Sequence, residues 1–292
     1  MAKYTSVIIG HETLDTNTDH LGNTVHIVGG AVIYSSASAH ALGHRVLAVT
    51  KVAEKDISRI DEFTIPKEDI IVLPSEKSTE ITNIYHTADK ERRTCTCTSK
   101  GDPFKAAEIP DADASIYHLA GLVYGDFDTE FIKTMSKKET LALDVQAMLR
   151  HVAPDGAMYF EDWKDKRECL PCIRYLKTDA AEAEILTGCS DRKEAAKHLF
   201  SWGAGEIMIT HNTEVLIYDG RDFYTCPIKS RNLSGRTGRG DTTFAAYINE
   251  RLGSGIEQAL LMATATVSLK METPGPFKGT REDVLNYIKE LY

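Results

Sequence analysis

The chain has 292 residues, 42% hydrophobic and 26% charged, with 34 Lys and Arg against 43 Asp and Glu and a net charge of −9. These proportions exclude a disordered tail, a collagen-like repeat and a disulfide miniprotein, and with no linker composition they predict one domain over 1–292. The acidic balance argues against a nucleic-acid partner held by phosphate neutralisation, and no stretch reaches the roughly 18 uninterrupted apolar residues of a membrane helix.

In chain order, the β-branched run 6–10 reads as the first strand. Its apolar Val7, Ile8 and Ile9 stop at once at Gly10, His11 and Glu12, which is too short for a secretory signal, so a cytoplasmic location is expected. Residues 13–28, rich in Thr, Asp, His and Asn, break the pattern. The Ala- and Ser-rich segment 31–42 predicts a helix packed against neighbours, and 45–52 a second strand. Residues 79–98 read as a hairpin around Asp89, Lys90 and Glu91. Neither 13–28 nor 79–98 can form a core alone, but together they predict a small antiparallel sheet standing off the main body as a lid. An edge hairpin without function is the competing reading. Strands are predicted at 115–121, 140–146 and 206–210, and amphipathic helices at 127–137 and 191–202. The alternation specifies an α/β fold with a central, mostly parallel sheet flanked by helices.

Six cysteines offer one CxxC, Cys169 and Cys172, without the second pair that a zinc site needs, so reduced structural thiols are expected. His40 and His44 lack the glutamate of a zinc-protease helix. Neither a GxxxxGK[ST] phosphate loop nor a GxGxxG turn is present. The strongest local feature is 234–252, SGRTGRGDTTFAAYINERL, where Gly235, Gly238 and Gly240 crowd into six positions ahead of a helical pattern of Phe244, Ile248 and Leu252. A glycine-rich turn feeding a helix N-terminus gathers free backbone N–H groups in front of the positive end of the helix dipole, which makes an anion hole. Asp241 stands at that N-terminus with Arg239 beside it. A plain N-cap is the common role for such an aspartate, and a chemical role is the alternative.

Four blocks in this order resemble the ribokinase-like (PfkB) carbohydrate kinases over nearly the whole chain. Gly10 is followed five residues later by Asp15, Gly29-Gly30 opens an Ala-rich helix closing with Leu42-Gly43, 176–188 carries Asp179 and Glu182, and 237–241 is TGRGD. The resemblance implies ATP-dependent phosphorylation of a hydroxyl on a small sugar or polyol. In it Asp241 is the base, and the turn Gly238, Arg239, Gly240 supplies N–H groups to the transferred phosphoryl. It further implies Mg²⁺ held through water by Asp179 and Glu182, adenine near Thr210 and Asn212, and an acceptor held by Asp15, Gly29 and Gly30. A homodimer through the lid is an open alternative to a monomer. Asp179 stands in the place of the family's asparagine, and other positions depart from the family pattern as well. Gly235 replaces an aspartate that in relatives helps bind a monovalent cation, Arg239 replaces an alanine, and Tyr34 stands where many sugar kinases carry a substrate-binding asparagine. Tyr34, with the run LDVQAMLR ending at Arg150, is most similar to the inositol-kinase branch, which adds Tyr34 and Arg150 to the acceptor contacts and points to myo-inositol. The rivals are a nucleoside or sugar-phosphate kinase, for which Arg92 and Arg93 offer cations at the lid, and a catalytically silent ligand-binding relative, favoured by Gly235.

Overall fold

The computed structural model describes residues 3–87 and 92–292, so Asp89, Lys90 and Glu91 of the expected hairpin lie outside the described residues. In chain order the strands are β1 (Tyr4–Ile9), β2 (Thr13–Thr18), β3 (Thr24–Gly29), β4 (Val46–Val52), β5 (Ile70–Pro74), β6 (Thr79–Tyr85), β7 (Arg93–Ser99), β8 (Ala114–Leu119), β9 (Thr140–Asp144), β10 (Arg150–Val152), β11 (Met158–Phe160), β12 (Tyr175–Asp179), β13 (Glu206–Thr210), β14 (Glu214–Tyr218) and β15 (Phe223–Pro227). The α-helices are α1 (Ala31–Ala41), α2 (Thr129–Met135), α3 (Gln146–Leu149), α4 (Lys166–Cys169), α5 (Ala180–Thr187), α6 (Arg192–Ser201), α7 (Arg239–Glu250), α8 (Ile256–Lys270) and α9 (Arg281–Leu291).

The main sheet runs β15-β14-β13-β12-β9-β8-β1-β4-β5. Its strands from β13 to β5 are parallel, and β14 and β15 close one edge as an antiparallel hairpin. All seven residues of β4 are buried, as expected where both faces are covered. Alternate side chains serve opposite layers: Leu141 and Leu143 of β9 pack with Phe131 of α2 and Leu199 of α6, whereas Ala142 packs with Phe244 and Ile248 of α7 and Leu260 of α8. Leu252, which the helical spacing placed on the same core face, lies beyond the end of α7 and is 46% exposed.

The second sheet has the order β3-β2-β6-β7. It unites the two segments that broke the alternation, but it is mixed rather than antiparallel: the two hairpins meet through a parallel β2–β6 ladder in which Asp15 pairs with Ile81 and Asn17 with Asn83. Asn83 Nδ2 donates to Asn17 Oδ1 and Cys95 Sγ to Asn83, so Asn17, Asn83 and Cys95 share a face; by the two-residue period Asp15 and Arg93 share it too. All six cysteines are unpaired, and burial lifts Cys169 to about 11, which suits an inert structural thiol. Among the described residues no helix is long and apolar enough to cross a membrane.

The sheet order reverses at β1, whose neighbours are β4 on one side and β8 on the other. Ligands of open α/β sheets bind beyond the carboxyl ends of strands at such a switch point. The ends of β1, β9, β12 and β13 there carry Gly10, Asp144, Asp179 and Thr210.

Candidate active site

Two close approaches explain why the turn before α7 is glycine-rich. A Cβ at Gly235 would lie 1.8 Å from the Thr273 carbonyl oxygen, so this stretch packs directly on 271–275, where the Gly235 N–H also donates to Met271 O at 2.8 Å. Gly238 precedes α7 with φ 75°, a left-handed conformation, and its Cβ would fall 2.1 Å from the Tyr34 ring. The turn is therefore moulded over a buried tyrosine. Ser38 Oγ donates to Thr242 O at 2.9 Å and Ser35 Oγ to Asp241 O at 3.4 Å, fixing α1, and with it Gly29, Gly30 and Tyr34, against the first turn of α7.

Asp241 is the third residue of α7, not its cap; that position is Gly238, with no side-chain cap bond. The carboxyl is thus spared from capping and is partly exposed. Burial raises its pKa to about 6, with the charge of Asp144 adding and Lys177, Arg150 and Lys270 opposing. Lys177 is the hub of this cluster. It is buried on β12 directly opposite Asp144 on β9, with Nζ 2.9 Å from Asp144 Oδ2 and 3.9 Å from Glu182 Oε2. Burial works against its ammonium, yet Asp144 foremost, then Glu182, Asp179 and Asp241, hold it charged.

Asp15 lies on β2 of the second sheet. Its pKa is raised by burial against the Thr13 hydroxyl and the charges of Arg150 and Arg93, and its Oδ1 is buried without a hydrogen-bond partner. A buried carboxylate oxygen without a donor suits an acceptor hydroxyl, which supplies one. Asp15 and Asp241 both act on the buried Tyr34 phenol, whose pKa burial raises first, and Gly29 and Gly238 each come within van der Waals reach of its ring, so the two carboxyls share one neighbourhood. Arg150, half-buried and donating from Nε to Leu122 O at 2.7 Å, stabilises the charge of both. Arg92 and Arg93 are both exposed, and Arg93 bonds Tyr85 and acts on Asp15. A hollow of about 770 Å³ lined by Glu80, Thr96, Lys100 and Asp155 contains neither Asp15 nor Asp241.

Asp179 and Glu182 form a reciprocal capping box: Glu182 N donates to Asp179 Oδ1 and Asp179 N to Glu182 Oε2, each at 2.8 Å. Glu182 is buried, not on a solvated face, and burial raises its pKa. One oxygen of each carboxylate is used by backbone, and among the described residues no group of three or more His, Cys, Asp or Glu side chains is placed to ligate a metal directly. The second oxygens, Asp179 Oδ2 and Glu182 Oε1, fit Mg²⁺ held through water, not a direct cage. Thr210 is buried beside Asp179 in the β12–β13 ladder. Asn212 is exposed and its Oδ1 accepts from Arg239 Nη1 at 2.9 Å, tying the turn to the segment after β13.

Sequence reasoning missed Lys177, Asp144 as its partner, and Lys270. Lys177 carried a signal: a lysine inside the otherwise strand-like YLKTD.

A family model described as "pfkB family carbohydrate kinase" matches residues 4–282. A pyrophosphate-dependent kinase in the ribokinase family, solved with a pyrophosphate analogue and myo-inositol, is 31% identical over 96% of this chain and 99% of its own, with a TM-score of 0.85. A pyrophosphate-dependent myo-inositol-1 kinase converted into a myo-inositol-3 kinase by two substitutions is 30% identical over 98% of each chain, with a TM-score of 0.84. A cytidine kinase of Thermococcus kodakarensis is 28% identical over 257 residues, 83% of this chain and 86% of its own length. The match spans both sheets and the turn before α7, so the chain belongs to the pfkB family of carbohydrate kinases, with a ribokinase-like fold, and is a phosphotransferase acting on a hydroxyl of a sugar or polyol.

Proposed function

We propose that the protein transfers a phosphoryl group from a phosphoanhydride to a hydroxyl of myo-inositol or a close polyol, with inorganic pyrophosphate as donor. The observation that carries the site assignment is the pairing of two carboxyls about Tyr34: Asp241 in the first turn of α7, and Asp15 with an unpartnered buried oxygen on the lid. Asp15 grips the acceptor, with Gly29 and Gly30 shaping the floor and Tyr34 and Arg150 lining it. Asp241 Oδ takes the hydroxyl proton as the oxygen attacks phosphorus, the bridging P–O bond breaks, and phosphate leaves. The backbone N–H groups from Gly238 to Asp241, with the helix dipole behind them, meet the charge that builds on the transferred group. Asp179 and Glu182 would orient water around Mg²⁺. Bound Mg²⁺ supplies neutralisation of the donor's phosphate oxygens.

Two observations favour pyrophosphate over the ATP that the family resemblance implies. The neighbours at 30–31% identity are pyrophosphate-dependent. Here also, the Arg239–Asn212 bond lays a guanidinium between the anion turn and the segment expected to flank adenine. Arg239→Ala is therefore expected to raise the KM for pyrophosphate by about tenfold, roughly the value of one charge-assisted hydrogen bond, with little change in the KM for the polyol. An unchanged pyrophosphate KM removes Arg239 from the donor site. A nucleoside acceptor is the second reading, supported by the cytidine kinase. The deciding experiment is a grid of donors (pyrophosphate, ATP) against acceptors (myo-inositol, ribose, fructose, fructose phosphate, cytidine), read as phosphomonoester formed. Pyrophosphate with myo-inositol is expected to give the highest kcat/KM; preference for cytidine, or silence across the grid despite ligand binding, contradicts this assignment.

A homodimer through the lid is also proposed, supported by Val25 and Ile27, which are 53% and 36% exposed on β3. A monomer mass in sedimentation at micromolar concentration contradicts it.

A further inference from the structure

Lys270, the last residue of α8, has no exposed surface. Its Nζ donates to the carbonyl oxygen of Gly235 at 2.6 Å and to that of Thr237, and stands 5.0 Å from the centre of the Tyr34 ring. A buried ammonium is costly unless it is compensated. Two backbone carbonyls and an aromatic ring, with no carboxylate within 4.0 Å among the described ion pairs, resemble the way carbonyl oxygens replace the hydration shell of a bound monovalent ion.

The family resemblance places a monovalent cation, aided by an aspartate, at the position of Gly235. The residues here do not fit one. Position 235 has no carboxylate and no room for it, because even a Cβ would lie 1.8 Å from Thr273 O. The carbonyls of Gly235 and Thr237 are already taken by the ammonium.

We infer that Lys270 is a tethered substitute for the monovalent cation: its ammonium gathers the carbonyls on the back of the anion-binding turn, keeping the turn shaped and positive with no monovalent metal bound. A peptide unit whose carbonyl turns toward a cation turns its N–H the other way, so the same contact aims the turn's donors forward. Lys270 is thereby a positioning residue. Burial lowers its pKa to about 8 while Asp241 works the other way, so the charge is present at neutral pH. Its effect on rate rests on the phosphoryl-transfer reading above; its effect on the turn does not.

The test compares wild type, Lys270→Ala and Lys270→Met in chloride salts of K⁺, Na⁺, Li⁺, ammonium and tetramethylammonium at equal ionic strength. Melting is followed in each salt, and turnover with the best pair of the grid. For wild type, melting is expected to agree within about 1 °C and kcat/KM within about twofold across the salts. Lys270→Ala, which empties the site, is expected to lose about 100-fold in kcat/KM, regain at least about tenfold in K⁺ or ammonium, and melt about 2–4 °C higher there than in tetramethylammonium. Lys270→Met fills the space with an apolar chain and is expected to show the loss without the rescue. Tenfold activation or specific stabilisation of wild type by K⁺ overturns the inference whether or not the variants fold, as does a Lys270→Ala protein with full activity in tetramethylammonium or with no response to any cation. If no pair in the grid turns over, the kinase reading fails and the melting series still decides this one.

Discussion

Asp241→Asn is expected to lower kcat by about 10²- to 10⁴-fold while leaving the KM of donor and acceptor within a fewfold. The amide keeps the shape of the side chain but cannot take the hydroxyl proton. The cradle of N–H groups, the lid contacts at Asp15 and the Lys177 cluster stay in place, so binding persists. The pH dependence sharpens the expectation. A base must be deprotonated to act, and burial sets the Asp241 carboxyl near 6, so wild-type kcat/KM should fall about tenfold per pH unit below that value. The residual rate of the Asn variant should lack that limb. Stability moves the other way. The folded state holds the proton up to about 6 and the unfolded chain releases it near 3.8, so this carboxyl favours folding below 3.8 and that advantage is lost as pH rises through 6. The Asn variant should therefore melt no lower than wild type at pH 7. A variant with near-normal kcat removes Asp241 from the role of base.

Lys177→Met is expected to damage both stability and rate. Lys177 is the cation nearest to Asp144, at 2.9 Å, and its charge also acts on Glu182, Asp179 and Asp241. Removing one partner of a buried ion pair leaves uncompensated charge and costs about 3–5 kcal/mol, on the order of 10 °C in a chain of this size. Lys177 is also one of the charges that oppose the rise of the Asp241 carboxyl, so its loss should move the acid limb of kcat/KM to higher pH. Unchanged melting together with an unmoved limb would show that Lys177 organises neither the fold nor the base.

The strand–helix alternation of the main sheet was legible because both faces of its parallel strands are buried, which forces β-branched runs such as 46–52. The segments of the second sheet were legible as exceptions to that pattern. Their parallel β2–β6 join was not, because pairing between residues 13–18 and 79–85 depends on a long crossover that no local turn encodes. At the site, Asp241 and the glycines showed themselves through crowding within one short segment. The lysines did not. Lys177 meets Asp144 from 33 residues away and Lys270 meets Gly235 from 35, so each looks like a break in an apolar run until the fold supplies its partner. Arg150 was singled out by resemblance; its Nε donates to Leu122 O, and its charge acts on both Asp15 and Asp241.

The same contrast explains Asp179 and Glu182. Their spacing is both a family motif and a capping box, and the fold uses it as the second. Any duty toward Mg²⁺ falls on the oxygens that the cap leaves over.

The most direct measurement is a crystal structure with a non-hydrolysable pyrophosphate analogue, Mg²⁺ and myo-inositol. One phosphoryl group is expected on the N–H groups of Gly238 to Asp241, with one inositol hydroxyl about 2.6–3.2 Å from an Asp241 oxygen and another bonded to Asp15. An analogue bound away from the turn before α7, or an acceptor that reaches neither carboxyl, would contradict this arrangement.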